Sequence, residues 1–255
     1  MKDINKIVSD FESITLQNMD SVSLMNRVDF KYTFSNHLLP QVLKKALPYY
    51  KILEIEKNRI FGYRSLYYDT VNNKMYLDHH NGRVDRYKIR FRSYIENSTF
   101  FLEIKHKIKG VRTIKTRIKT NGLETELTGE SAKFIRENSD IDTEQLEPKI
   151  YVSFRRLTLV NEENKERITV DHDLSFEKGH LHIDLPKLAV VEVKRSNSNG
   201  HVSHFTRILK DMRIRPFRLS KYCIGRVLTD ETIKYNQFKE KILFIDKINK
   251  QNVHS

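Results

Sequence analysis

Basic side chains alternate with apolar ones in one stretch of the sequence, and this spacing suits the binding of a polyanion. Lys88, Arg90 and Arg92 are separated by Ile89 and Phe91. Because residues i and i+2 of a β-strand share a face, the three cations are expected on one side and the apolar residues on the other. Neighbouring cations repel one another unless an anion or an acidic side chain lies between them. The pattern therefore indicates a charged strand face that needs an anion or an acidic partner beside it.

Five further stretches alternate in the same way, and most of their charged faces mix cations with carboxylates. Their charged residues are, in chain order, Arg27, Asp29 and Lys31; Glu103, Lys105 and Lys107; Lys115, Arg117 and Lys119; Arg167, Asp171 and Asp173; and Glu192 and Lys194. A sheet with one solvated face has the same pattern in any single strand. Six such strands together are harder to explain in that way: with charged faces inward they would line a basic tunnel, and with apolar faces inward they would form a barrel with a basic exterior. Periodicity alone leaves both arrangements open.

Composition supports a polyanionic partner without choosing one. The 255 residues include 46 Lys and Arg against 33 Asp and Glu, a formal charge of +13. Nucleic acid, an anionic membrane and phosphate compounds all suit this excess. The single cysteine, Cys223, excludes a disulfide framework or a cysteine zinc cluster, and we expect it to be buried. No apolar run reaches the roughly 18 residues of a membrane span, so we expect a soluble, cytoplasmic protein.

The elements that position these residues are mainly strands. Period-2 segments predict eight of them, at 27–34, 61–69, 86–94, 99–108, 112–119, 150–160, 166–174 and 188–194. Helices are expected at 3–18, 36–47, 129–137, 201–212 and about 229–245. No linker interrupts the chain, so residues 1–255 are interpreted as a single domain of the α+β class. Eight strands in one domain predict a closed barrel or a two-sheet sandwich. The apolar stripes of the helices favour a barrel that is apolar on its outside.

Ten short motifs, in order, resemble the VTC polyphosphate-polymerase domain over roughly residues 25–226. They are Arg27-Val-Asp-Phe-Lys31-Tyr32, Ser65-Leu-Tyr-Tyr-Asp69-Thr70, Gly82-Arg83, Lys88-Ile-Arg90-Phe-Arg92-Ser-Tyr94, Phe101-Leu-Glu103-Ile-Lys105, Ile114-Lys115-Thr-Arg117, Phe154-Arg155-Arg156, Arg167-Ile-Thr-Val-Asp171, Val191-Glu192-Val-Lys194 and Arg218-Leu-Ser220-Lys221-Tyr222. The resemblance implies the triphosphate tunnel metalloenzyme fold, an eight-stranded antiparallel β-barrel with a basic interior and flanking helices. It also implies transfer of the γ-phosphoryl group of ATP to polyphosphate with Mn²⁺ or Mg²⁺.

The resemblance also assigns roles to individual residues. The catalytic residues would be Lys31, Arg90, Arg92, Lys105, Arg156 and Lys194. Phosphate or nucleotide would be bound by Lys88, Lys115, Arg117, Arg167, Ser220 and Lys221, and also by Arg83 and Arg218. Glu192 aligns with the metal-binding glutamate, and Glu103, Asp171 and Asp29 are further candidates. Glu103 and Asp171 could instead pair with Lys or Arg and reduce repulsion in the empty tunnel.

Two departures from the family pattern bear on activity. Asp29 stands where the opening motif has glutamate, and Phe154 stands where eukaryotic polymerases have a phosphate-contacting tyrosine. Two other functions therefore stay open on the same fold: hydrolysis of tripolyphosphate or pyrophosphate, and binding of polyphosphate without turnover.

The expected partners are ATP, polyphosphate, pyrophosphate and triphosphate. A specific nucleic-acid partner is not expected, because the aromatic residues alternate away from the cations instead of interleaving with them for base stacking. Eukaryotic relatives couple synthesis to translocation through companion segments, so action at a membrane would need a separate membrane partner. His79 and His80 are expected in an exposed turn.

Overall fold

The computed structural model describes residues 2–21, 27–109, 113–196 and 203–250, in which eleven strands form one sheet. Their bounds are β1 Ser13–Ile14, β2 Arg27–Ser35, β3 Lys51–Leu53, β4 Phe61–Thr70, β5 Arg86–Tyr94, β6 Thr99–Lys107, β7 Ile114–Thr120, β8 Leu146–Asn161, β9 Glu166–Lys178, β10 Leu181–Leu185 and β11 Leu188–Ser196. All eight predicted strands are present, and residue 112 of the predicted strand 112–119 lies outside the described ranges. The three that were not predicted are the short strands β1, β3 and β10.

Eight strands make a continuous antiparallel path in the order β2-β11-β9-β8-β4-β5-β6-β7. β10 pairs in antiparallel fashion with the end of β9, and β3 pairs with β8 and, in parallel, with β1. The α+β class with a large antiparallel sheet is thus confirmed. Within the described residues no hydrogen-bonded ladder joins β2 to β7, so backbone pairing does not close the sheet there.

Eight α-helices accompany the sheet in the described ranges. Their bounds are α1 Lys2–Ser9, α2 Leu16–Ser21, α3 Leu39–Ala46, α4 Lys74–His80, α5 Gly129–Asn138, α6 His204–Asp211, α7 Lys221–Thr229 and α8 Lys239–Lys250. The predictions at 36–47 and 129–137 match α3 and α5. The prediction at 201–212 matches α6, whose N-cap is Ser203, while residues 201 and 202 lie outside the described ranges. None of the described helices combines the length and apolar character needed to cross a bilayer.

The predicted helix at 3–18 is wrong, because two helices flank a short strand there. Ile14 lies in β1 opposite Leu53, and its side chain is buried. The backbone amide of Glu54 donates to the carbonyl oxygen of Ile14 at 2.9 Å, which fixes the extended conformation. The apolar spacing therefore serves a tertiary contact and not one continuous helix.

The predicted helix at 229–245 is also wrong in its position. α7 ends at Thr229, and α8 begins at Lys239 after a short 3₁₀ turn at Asn236–Phe238. α7 itself was not predicted; its start is marked by Ser220, whose Oγ accepts a hydrogen bond from the backbone amide of Cys223.

Helices pack on the sheet in three apolar clusters. α1, α3 and α6 pack on β2, β8, β9 and β11, where Val42 and Val191 are fully buried. α4, α7 and α8 form a second cluster that includes the buried Cys223, as expected. α5 covers β4, β5 and β6 with Ile135. In the first and third clusters the apolar residues of the strands face the helices, so the alternating charged residues of those strands face the opposite side of the sheet. The second cluster lies on that charged face, since it includes Tyr67, Phe154 and Val190.

Candidate functional site

The inward face of the sheet encloses a cavity of about 600 Å³. Every strand of the eight-strand path contributes side chains to its wall, and so does the start of α7. Both edge strands take part: Asp29 and Lys31 come from β2, and Lys115 and Arg117 come from β7. The sheet therefore curls until its two edges face the same space.

The charge of this wall is strongly positive. Its described residues include eleven cations and four carboxylates, an excess of seven positive charges. The cations are Lys31, Lys88, Arg90, Arg92, Lys105, Lys115, Arg117, Arg156, Arg167, Lys194 and Lys221, and the carboxylates are Asp29, Glu103, Asp171 and Glu192. Such an excess in a confined space is suited to a ligand with several negative charges.

Strand register creates the main ion pairs of the cavity. Each pair joins residues that lie directly opposite on neighbouring strands: Lys31 with Glu192 at 3.2 Å, Arg90 with Glu103 at 2.5 Å, and Arg156 with Asp171 at 2.5 Å. Opposite charges in directly opposed positions stabilise a sheet. The same pairing reduces repulsion among the cations.

Two of the carboxylates each hold a second cation at close range. Lys194 lies 2.6 Å from Glu192, and Lys221 lies 2.5 Å from Asp171. Burial raises the pKa of Glu192, but the charges of Lys194 and Lys31 outweigh burial and hold its pKa well below the usual range. Asp171 is held ionised in the same way by Arg156 and Lys221, which lower its pKa against the effect of burial.

Four lysines converge at one part of the wall, and we call them the lysine cluster: Lys31, Lys88, Lys105 and Lys115. Burial lowers the pKa of Lys105, and the charges of the other three lower it further, to about 7. Burial also lowers the pKa of Lys88. Since β2 carries Lys31 whereas β6 and β7 carry Lys105 and Lys115, the cluster spans the gap between the two edges of the sheet.

Aromatic rings support the arginines elsewhere in the wall. The rings of Tyr63 and Phe154 stack with centroids 5.2 Å apart. The guanidinium carbon of Arg156 lies 5.0 Å from the centroid of Tyr63 and 5.2 Å from that of Phe154. Arg92 lies 5.4 Å from Tyr63. These cation–π contacts hold the two guanidinium groups without occupying their N–H donors.

The N-terminus of α7 also faces the cavity. Ser220 and Lys221 line the wall, and Lys88 Nζ donates to Ser220 Oγ at 3.2 Å. The N-terminus of a helix carries partial positive charge and favours anions. α7 thus adds to the positive potential that the strands create.

The structure brings together most, but not all, of the residues predicted from the motifs. All six predicted catalytic cations line the cavity, as do six of the eight predicted phosphate-binding residues. Arg83 does not: its side chain is 65% exposed after α4 and lies 3.4 Å from Asp78. Arg218 is exposed and is also absent from the wall. His79 and His80 end α4, and His80 is buried, so the exposed turn predicted for them is wrong.

Sequence reasoning assigned no role to Tyr67, a polar residue of the wall. Tyr67 of β4 lines the cavity, and its hydroxyl oxygen accepts a hydrogen bond from Arg90 at 2.9 Å. The alternation of Tyr63, Ser65 and Tyr67 along β4 is the signal that could have identified it, because these residues share a face.

The carboxylates can be tested against the needs of a divalent metal. No group of three or more His, Cys, Asp or Glu side chains is suitably placed in the described ranges. Glu192 and Asp29 both line the cavity on adjacent strands, with Glu192 opposite Lys31 and Asp29 opposite Lys194. Mg²⁺ is commonly held by one or two carboxylates together with substrate phosphates and water. These two residues fit a metal held in that way.

Both the sequence and the fold of this chain resemble those of known proteins. A family model described as the VTC domain matches residues 26–229. The chain belongs to the VTC domain family. No curated protein matches it. Among solved structures, a candidate adenylate cyclase from Bacillus halodurans is 16% identical, with a TM-score of 0.51, covering 76% of this VTC domain chain and 94% of its own.

Two further structures resemble this VTC domain less closely in shape. A candidate adenylyl cyclase from Hippeastrum, described as having a dominant triphosphatase activity, is 15% identical with a TM-score of 0.49; the match covers 80% of this chain and 96% of that one. A candidate adenylate cyclase from Vibrio parahaemolyticus is 15% identical with a TM-score of 0.45, covering 80% and 99%. The family match confirms the VTC domain predicted from the motifs, and the Bacillus structure has a similar fold.

Proposed function

We propose that this VTC domain binds a phosphate chain in its basic cavity and transfers the γ-phosphoryl group of ATP to polyphosphate. One observation carries the proposal: eleven cations converge on one cavity, and its four carboxylates leave seven positive charges in excess. A phosphate chain carries about one negative charge per unit and matches such a row of cations. Membership of the VTC family supports phosphate chemistry at this site.

We further propose that the ligand completes a closed, eight-stranded tunnel. The lysine cluster spans the edges of β2 and β7, between which no backbone ladder is found in the described residues. Phosphate oxygens bound to Lys31 on one edge and to Lys115 on the other would join the two edges by charge. Binding would then stabilise the domain as well as position the substrate.

Phosphoryl transfer requires charge neutralisation and in-line positioning more than covalent catalysis. Arg90, Arg92 and Arg156 have planar donor groups that can grip two phosphate oxygens at once. Their ion pairs and ring contacts fix them before substrate binds, so little reorganisation is needed as charge develops. Lys31, Lys105 and Lys194 would neutralise the neighbouring phosphates of the chain.

Mn²⁺ or Mg²⁺ would be held by Glu192, with Asp29 as a second ligand. Such a metal would supply charge neutralisation for the phosphate groups of the substrate. Glu103 and Asp171 already hold arginines at 2.5 Å, which suits them to keeping the empty cavity from repelling itself.

The test is incubation of the purified protein with ATP and Mn²⁺, followed by a search for long polymer on a gel. Polymer formation that is lost in an Arg90→Ala/Arg92→Ala variant is the expected result. Release of inorganic phosphate from tripolyphosphate without polymer would replace the polymerase with a hydrolase. Tight binding of intact tripolyphosphate without either product would identify a binding module.

A further inference from the structure

The hydroxyl group of Tyr67 lies inside the cavity, and the motif that contains this residue assigned it no role. Tyr67 is on β4, is 6% exposed and lines the cavity wall. Arg90 Nη1 donates a hydrogen bond to its oxygen at 2.9 Å. Arg90 is itself fixed by Glu103, which accepts from Nε at 2.7 Å and from Nη2 at 2.5 Å. The position of the phenol oxygen is therefore set by an arginine whose three nitrogens each donate one hydrogen bond, which leaves two N–H donors for a ligand.

The proton of this phenol has no acceptor in the described part of the chain, where the bond from Arg90 is the only hydrogen bond of the Tyr67 hydroxyl. The charges that act most strongly on it are those of the cations Arg90, Arg92 and Lys88 of β5, and Lys221 of α7 also interacts with it. None of them can accept a proton in its charged state. A buried hydroxyl donor needs a partner, and an anion entering the cavity would supply one.

The ring of Tyr67 is held in place from behind. It stacks on Tyr222 of α7 with centroids 5.2 Å apart and an interplanar angle of 21°. Tyr222 is fixed in turn, because its hydroxyl donates to the buried carboxylate of Asp69 at 2.5 Å. A ring held on one side and hydrogen-bonded at its tip keeps little rotational freedom, so little entropy is lost when the hydroxyl binds a ligand.

We infer that Tyr67 is a phosphate ligand of this cavity, whose hydroxyl donates a hydrogen bond to an oxygen of the bound phosphate chain. Tyr67 is thus a further substrate-positioning residue, on a strand that provides none of the predicted phosphate-binding cations. Phe154, on the adjacent β8, contributes a ring to the wall without any hydroxyl. This inference rests on the proposed function.

The protonation of Tyr67 gives the inference a spectroscopic readout. Burial raises its pKa, but the charges of Arg90, Arg92 and Lys88 outweigh burial and lower it to about 8. The phenol donates only while protonated, and a nearby polyanion disfavours the phenolate. Bound phosphate must therefore raise the pKa of Tyr67.

The first experiment measures tripolyphosphate affinity by calorimetry near pH 7 in the wild type, in Tyr67→Phe and in Tyr68→Phe. Tyr68 is a matched control, because it is the next residue of β4 and its hydroxyl donates to the carbonyl oxygen of Glu124, away from the cavity. We expect Tyr67→Phe to weaken binding about tenfold, as for loss of a hydrogen bond to a charged group, and Tyr68→Phe to bind like the wild type.

The second experiment titrates phenolate absorbance with and without tripolyphosphate, using the difference between wild type and Tyr67→Phe to isolate Tyr67. A midpoint that rises with ligand supports the inference. Unchanged affinity in Tyr67→Phe, or a midpoint that ligand does not move, overturns it and leaves the proposed function standing. Failure of the wild type to bind tripolyphosphate overturns both, so the two failures are distinguishable.

Discussion

The hydroxyl of Tyr222 donates a hydrogen bond of 2.5 Å to the carboxylate of Asp69, which is fully buried. The other bonds to this carboxylate come from the backbone amides of Thr70, Met75 and Tyr76. Asp69 thus joins the end of β4, the start of α4 and the start of α7. Since α7 presents Ser220 and Lys221 to the cavity, a residue outside the cavity determines where two of its wall residues lie.

Replacing Asp69 should therefore weaken both folding and ligand binding. In Asp69→Asn the neutral amide is a poorer acceptor for four donors, and one buried bond is lost or distorted. We expect the free energy of unfolding in urea to fall by about 1–3 kcal/mol. Tripolyphosphate affinity should fall as α7 loosens. Asp184→Asn is the control, since that side chain is 63% exposed on β10; equal losses in both variants would contradict the anchoring role.

Removing cavity arginines should abolish binding, whereas removing an outlying arginine should not. Arg90→Ala/Arg92→Ala deletes two charged donors, and we expect tripolyphosphate affinity to fall about a hundredfold or more. Arg83→Ala is the matched control, because Arg83 belongs to a family motif but lies outside the cavity wall. Titration calorimetry of both variants tests whether the cavity wall or the motifs better identify the phosphate-binding arginines. A strong loss of tripolyphosphate affinity in Arg83→Ala would favour the assignment made from the motif.

Binding should weaken as pH rises through the range in which cavity lysines lose their charge. Burial and the neighbouring lysines lower the pKa of Lys105 to about 7, and burial lowers that of Lys194 to about 8. Each is a cation below its pKa and neutral above it, so tripolyphosphate affinity should fall between about pH 6 and about pH 9. Lys105→Arg keeps its charge throughout, and its affinity should fall less over the lower part of this range. If the affinity of Lys105→Arg falls with pH as steeply as that of the wild type, deprotonation of Lys105 is not the cause of the decline.

Neutralising Glu192 should have opposite effects with and without metal. Glu192→Gln frees Lys31 and Lys194 from their ion pairs, so metal-free affinity for tripolyphosphate should rise. The gain in affinity that Mn²⁺ confers should disappear, because the proposed ligand is gone. Glu103→Gln is the control, which frees Arg90 but should retain the Mn²⁺ effect. Calorimetry with and without Mn²⁺ checks both variants, and a retained Mn²⁺ effect in Glu192→Gln would refute its role as a metal ligand.

Local alternation predicted the wall of the cavity well where strands are regular. Lys88, Arg90 and Arg92 share the inward face of β5, as their spacing requires. The alternation fails at Asp173, which has a left-handed φ of 52° near the bulge between β8 and β9 and lies outside the wall. A bulge depends on both strands of a pair, so one strand's spacing cannot reveal it.

Other features depend on contacts between distant parts of the chain. The break in the predicted helix 3–18 arises because Ile14 pairs with Leu53, 39 positions away, and a local window cannot contain that partner. Arg83 and Arg218 match motifs, but a motif records order along the chain and not which way a side chain points. The inward direction of the charged faces followed from the family resemblance, since periodicity alone left it open.

The shared carboxylates of the cavity are fixed counter-ions, which a bound phosphate exchanges with. Lys31 and Lys194 share Glu192, while Arg156 and Lys221 share Asp171, so these cations are never without a counter-ion. An arriving phosphate competes with a fixed carboxylate and does not meet bare charge. A departing phosphate is replaced by that same carboxylate, so release costs less than it would from an uncompensated site. Under the proposed function, a long polymer would advance through the domain by successive small exchanges. Its total affinity would be high, while the net free energy of binding for each phosphate unit would be small.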